Sequence, residues 1–169
     1  MLDQRSSIEC EAHAYLDRAV LGLLLDIDKQ RPWSEAEIAR EISTPGHVPA
    51  SLKRLRTAGL IHRWNDLVTA SRAAVRFHEI TQSADDPASA DERHHDKAVL
   101  ESLLVRASDG QGPLSEEETC EACGAEKTQQ KLAITDALNR LDAAGLIERR
   151  GGKAIASEVA THFDQIMTL

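Results

Sequence analysis

The sequence predicts a mainly helical chain made of two consecutive copies of one domain, each closed by a short β-hairpin. Three observations predict it. The segment Leu52–Arg63 returns as Leu138–Arg149, with the shared pattern L-x-R-L-x-x-A-G-L-I-x-R. In both copies leucines three apart, Leu52 and Leu55 or Leu138 and Leu141, mark one helical face. A glycine follows, Gly59 or Gly145, where a left-handed residue closes a helix at little cost. An apolar extended run then begins at Leu60-Ile61 or Leu146-Ile147. Asn65-Asp66 or Gly151-Gly152 interrupts it, and these residues tolerate the positive φ of a two-residue hairpin turn.

The elements of the first copy follow in order. Ala12, Leu16, Val20, Leu23 and Ile27 keep a helical rhythm over residues 8–28, and the loop 29–33 ends it. Ser34-Glu35-Ala36-Glu37 is a capping box that starts a short second helix. A turn at Ser43-Thr44-Pro45-Gly46 leads to a third helix over 48–58 and then the hairpin. A fourth helix begins near Ser71, with Ala74, Phe77 and Ile80 on one face. The same order restarts after a polar, proline-containing stretch. Asp17-Arg18-Ala19-Val20-Leu21 returns as Asp96-Lys97-Ala98-Val99-Leu100, and Pro32–Glu37 as Pro113–Glu118. Ser71, Ala74, Phe77 and Ile80 return as Ser157, Ala160, Phe163 and Ile166. The spacing between copies changes only in connections, as a structural duplication requires. Residues 1–82 are therefore the first domain, 83–95 the linker and 96–169 the second domain.

Composition sets further bounds. Apolar residues make up 41% of the chain, a globular proportion, while aromatics make up 3%, so the cores are aliphatic. Three cysteines, an odd number, argue against a disulfide framework and for a reducing compartment. No signal-like apolar stretch opens the sequence and no run approaches a membrane span, so a cytoplasmic protein without membrane contact is expected. The net charge is −8, unevenly spread. Residues 1–82 balance 11 basic against 11 acidic side chains, and residues 96–169 set 8 against 13. Any electropositive footprint for nucleic acid is therefore local.

A helix running through Ala-Gly-Leu-Ile into a short hairpin resembles the winged-helix family, where that helix is the recognition helix and the hairpin the wing. The resemblance covers nearly the whole chain, once per half. It implies a mainly α fold with short β-hairpin wings, arranged as two tandem winged-helix domains. It also implies a double-stranded DNA partner and a role in transcriptional regulation. The chain looks like a single-chain version of the dimeric PadR- and MarR-type regulators, with the first and fourth helices of each copy as candidate pairing surfaces. A further homodimer is compatible with this pattern. On the third helix, stepping 100° per residue, Ala50, Lys53, Arg54 and Thr57 point away from the leucine face. The matching residues are Asp136, Asn139, Arg140 and Ala143. The wings add Arg63 in the first copy, and Arg149, Arg150 and Lys153 in the second, as phosphate contacts. Trp64 reads as a hydrophobic cover over the sheet.

A second reading stays open. Some tandem winged-helix proteins, such as acidic adaptors of the ScpB kind, bind proteins rather than DNA. The charge of −8 and Asp136 fit that class, while Lys53, Arg54 and the wing arginines fit DNA. No metal or cofactor is expected. Cys120-Glu121-Ala122-Cys123 has zinc-like spacing with His94-His95 upstream. The repeat instead aligns Cys120 with Ala39 and Cys123 with Ile42, core positions of a helix where cysteine acts as a small hydrophobe. Enzymatic function is not expected: there is no phosphate-binding glycine loop and no nucleophile elbow.

Overall fold

The computed structural model describes residues 2–26, 31–42, 45–82 and 90–168. The element order is the same twice. Helix α1 (Leu2–Leu25), strand β1 (Trp33–Ser34), α2 (Glu35–Glu41), a 3-10 turn (Pro45–His47), α3 (Val48–Thr57), β2 (Ile61–Trp64), β3 (Leu67–Ala70) and α4 (Arg72–Gln82) come first. Then follow α5 (Ala90–Ser108), β4 (Leu114–Ser115), α6 (Glu116–Ala122), α7 (Thr128–Ala143), β5 (Ile147–Arg150), β6 (Lys153–Ala156) and α8 (Glu158–Thr168). The fold is mainly helical with two small antiparallel sheets of three strands, ordered β1-β3-β2 and β4-β6-β5. Helix α5 starts inside the stretch assigned to the linker. Residues 83–89 and the turn residues Ser43 and Thr44 lie outside the described residues.

Local chemistry explains the boundaries. Ser34 and Glu37 form the expected capping box, and Ser115 with Glu118 repeats it. The Ser34 amide donates to Glu37 Oε2 at 2.8 Å, and this bond above all holds the Glu37 carboxyl down at about 2. Helix α3 closes by a Schellman motif: Gly59 takes φ +72°, its amide donates to the Arg56 carbonyl, and the Leu60 amide donates to that of Leu55 at 2.9 Å. Gly145 repeats this at φ +75°, with Leu146 donating to Leu141. In the second hairpin both Gly151 and Gly152 have positive φ, as a type I′ turn demands; in the first only Asn65 does.

Strands β1 and β4 were not foreseen. Each is two residues long and pairs with the second strand of its hairpin, Trp33 opposite Val68 and Leu114 opposite Ala154. Two residues carry no alternation, so nothing in the sequence separates them from a loop. Trp33 fixes its strand: it is buried, and the Arg31 guanidinium stacks over its ring at 4.2 Å.

The chain forms two compact units: Met1–Val75 with His162–Leu169, and Arg76–Thr161. The units and the sequence repeats differ at the fourth helices. The first turn of α4 lies in the first unit and the rest in the second, and α8 is divided in the opposite sense. The chain has two phenylalanines, Phe77 and Phe163; both are buried, and each falls in the unit opposite its own repeat. In the first unit Arg18 Nε donates to the Ile166 carbonyl at 2.9 Å, satisfying an end carbonyl of α8.

Within each unit the third helix packs on the first, α3 on α1 and α7 on α5. Leu52, Leu55, Leu138 and Leu141 are buried in those seams as expected. A carboxylate sits in each seam as well. Asp17 accepts from Arg54 Nε at 2.9 Å and Nη2 at 2.7 Å, and also from the buried Ser51 hydroxyl. Asp96, fully buried, accepts from Arg140 Nε at 3.0 Å and Nη2 at 2.7 Å, and from Arg76 Nη2 at 2.8 Å. Carboxylates removed from water in this way require such partners.

Arg54→Ala is expected to cost about 3 kcal/mol in urea unfolding, near the low end for stranding a buried charge. Arg140→Ala is expected to cost less, because Arg76 still reaches Asp96; equal costs would contradict the geometry. Glu37, held below the ordinary carboxylate range, contributes stability that is complete above pH 4.5 and is lost as pH falls towards about 2. Glu37→Ala is expected to flatten the acid side of the unfolding profile across that window.

Candidate nucleic-acid interface

The third helix of each unit presents one face to solvent, and the repeat allows the two faces to be compared position by position. On α3 the exposed stripe is Ala50, Lys53, Arg56 and Thr57. On α7 the same positions are Asp136, Asn139, Asp142 and Ala143, all exposed. The first stripe carries two cations and no acid. The second carries two acids and no cation. Lys53 and Arg56 have no salt-bridge partner among the described residues. Arg56 joins this stripe although a helical wheel centred on Leu52 and Leu55 leaves it near their edge. Its i, i+3 relation to Lys53 was the available signal.

Two expected contacts lie elsewhere. Arg54 and Arg140 were placed on the outward face, but both are half-buried and their guanidiniums turn towards α1 and α5. Hydrogen bonding to Asp17 and Asp96 raises the pKa of each further, so they remain cationic at any working pH. Their charge is matched inside the unit and adds little to an outward field.

The hairpin cations are also engaged. Arg63 Nη2 meets Glu35 at 3.1 Å and its Nε donates to the Asn65 carbonyl at 3.2 Å. Arg149 donates to Asn139 Oδ1 at 2.7 Å and lies 3.4 Å from Glu116. Arg150 pairs with Glu148 at 2.7 Å. Lys153 is exposed and lies close enough to Glu118 to help lower its pKa, after the larger effect of the Ser115 amide. These pairs are partly or largely solvent-exposed, so each is weak and exchangeable for a phosphate. In the first unit a groove of about 510 Å³ joins α2, the start of α3 and the hairpin, lined by Glu35, Ala39, Val48, Pro49, Arg63 and Asp66. It brings the start of α3, at Val48 and Pro49, and the hairpin turn to one surface.

Trp64 does not cover the sheet. It is 80% exposed, and its cross-strand neighbour Leu67 is 47% exposed. The register explains this: Ile61, Arg63 and Val68 take the inner face, which leaves His62, Trp64, Leu67 and Thr69 on the outer one.

The second unit differs in one further element. Helix α7 has 16 residues where α3 has 10, and the extra turn and a half begins at Thr128. The spacing between copies therefore changes not only in a connection, as the sequence suggests, but also within a helix, after the Gly124 closure of α6 at φ +67°. Cys120 is buried in α6 as expected, whereas Cys123 is half-buried at the C-cap, the position of Ile42 in the first unit. Burial pushes both thiols up. Among the described residues no group of three or more His, Cys, Asp or Glu could hold a metal ion, and no helix is long and apolar enough to cross a membrane.

No protein family and no curated protein matches the chain. The site therefore rests on its own geometry. One consequence concerns the thiols. At pH 7 both Cys120 and Cys123 are expected to react with a disulfide reagent far more slowly in the native protein than in urea. Peptide mass spectrometry after brief labelling checks this, and rapid native modification of Cys120 would contradict its burial.

Proposed function

We propose that the chain is a tandem winged-helix protein that binds double-stranded DNA as a transcriptional regulator, with the first unit as the reader. The repeated order of helices and hairpin supports the winged-helix reading. The observation that carries the binding assignment is the α3 stripe, which holds Lys53 and Arg56 without a salt-bridge partner among the described residues where α7 holds Asn139 and Asp142. A cationic helix face with small flanking residues, Ala50 and Thr57, fits a major groove and its phosphates. An acidic face at the same place is repelled by them.

In this reading α3 enters the groove and Arg63 exchanges Glu35 for a phosphate. Arg149, Arg150 and Lys153 of the second wing then supply at most backbone contacts. A second reading, an acidic adaptor for a protein partner, is favoured by one specific observation: Asp136 and Asp142 lie exposed on α7 while Arg149 and Arg150 are already paired with acids.

Titration of a labelled random duplex at several salt concentrations separates the two. Changing Lys53 and Arg56 together to Ala is expected to weaken binding and to flatten the salt slope by about two units, one per phosphate contact. Asp142→Ala is expected to leave binding intact or strengthen it. No binding at low salt, where charges are least screened, would overturn the DNA reading in favour of the adaptor.

A further inference from the structure

The outer face of the first wing is the one feature that phosphate binding does not use. It consists of His62, Trp64, Leu67 and Thr69, with no Asp, Glu, Lys or Arg. The matching face of the second wing is Glu148, Arg150, Lys153 and Ile155. At the turn end, the cross-strand pair Trp64–Leu67 therefore stands where the second unit has Arg150–Lys153. A wing of the same length and register keeps two cations in one unit and an exposed indole backed by leucine in the other. Exposing Trp64 to water forgoes the gain from burying a large aromatic surface. Indole offers a larger and uncharged face for stacking than the Arg150 guanidinium, and the Lys153 ammonium offers none.

We infer that the first wing is a groove wedge: Trp64, backed by Leu67, enters a minor groove of duplex DNA and unstacks a base step. The inference rests on the proposed DNA-binding reading and deepens it. Charge complementarity selects the occupant. The groove beside the wing links it to the head of α3, and the α3 stripe bears Lys53 and Arg56 without an acid. A polyanion drawn to that stripe meets the wing at the turn, where Arg63 precedes Trp64 and Asn65-Asp66 follow it, so attraction comes from the stripe and Arg63. Apolar wedges that partly unstack base steps are a general means of bending DNA around a protein surface. Stacking on an aromatic ring tolerates any base, because every base has a π-face.

The two tryptophans make the test direct. Trp33 is buried and Trp64 is exposed, so acrylamide quenches Trp64 selectively. Saturating the full chain with duplex is expected to remove the accessible tryptophan fraction and to brighten 2-aminopurine placed in the duplex as it unstacks. Trp64→Ala is expected to weaken duplex binding by about 5- to 150-fold, the range for losing one base–aromatic stack. Trp64→Arg, which installs the residue of the second wing, is expected to keep binding through phosphates but to abolish the 2-aminopurine signal.

Duplex binding with Trp64 as open to acrylamide as in the free protein would overturn the wedge and leave the DNA reading standing. So would an unchanged 2-aminopurine signal with Trp64→Arg. Loss of acrylamide access with rising protein concentration, without DNA, would overturn the wedge in favour of self-association through this face. No binding at low salt would remove the DNA reading and the wedge with it.

Discussion

Each unit is built around a carboxylate that has been taken out of water. Asp17 and Asp96 lie in the seams between the first and third helices, where an unmatched charge would cost several kcal/mol. Arg54 meets that cost with two hydrogen bonds and Arg140 with three, each from the Nε and Nη2 of one guanidinium. The pair fixes the rotation of the third helix on the first. With Arg54 turned inward, Ala50, Lys53, Arg56 and Thr57 face outward. The Schellman closure at Gly59 then sets where the chain leaves the helix, and the hairpin follows from there. The surface available for binding thus follows from an internal electrostatic constraint.

Much of this was legible in the sequence. The capping boxes, the closing glycines and the hairpin turns each combine residue types with a single physical use, and each occurs twice. The mainly helical fold with small sheets followed from them. The buried pair was legible in principle, since Asp17 and Asp96 recur before Ala-Val-Leu and Arg54 and Arg140 recur in the same L-x-R-L-x-x-A-G motif. It was misread because a helical wheel ranks an arginine by polarity and places it outside. A wheel cannot show that the facing helix carries a carboxylate at the same height. The reciprocal division of α4 and α8 between the units was not legible either, because nothing in an amphipathic pattern says which apolar surface it will meet.

The two units share what holds the fold and differ in what faces the solvent. Asp, Arg, the closing Gly and the capping Ser stand at matching positions in both. Lys53, Arg56 and Trp64 become Asn139, Asp142 and Arg150. Every one of these three is exposed, where substitution has little effect on stability and a large effect on the local field. The net charge of −8 is consequently a poor guide to binding, because the acids concentrate in the second half. Under the proposed function DNA contact falls to the first unit while the second presents an acidic face, unlike a symmetric dimer with two equal reading helices.

Hydroxyl-radical footprinting on a selected high-affinity duplex tests that claim most directly. Reading by the first unit predicts a single protected segment around one major-groove contact, with an adjoining minor-groove contact from the wing. Two equally protected half-sites, centred about one helical turn apart at roughly 34–36 Å, would show that both units read alike and would contradict the account.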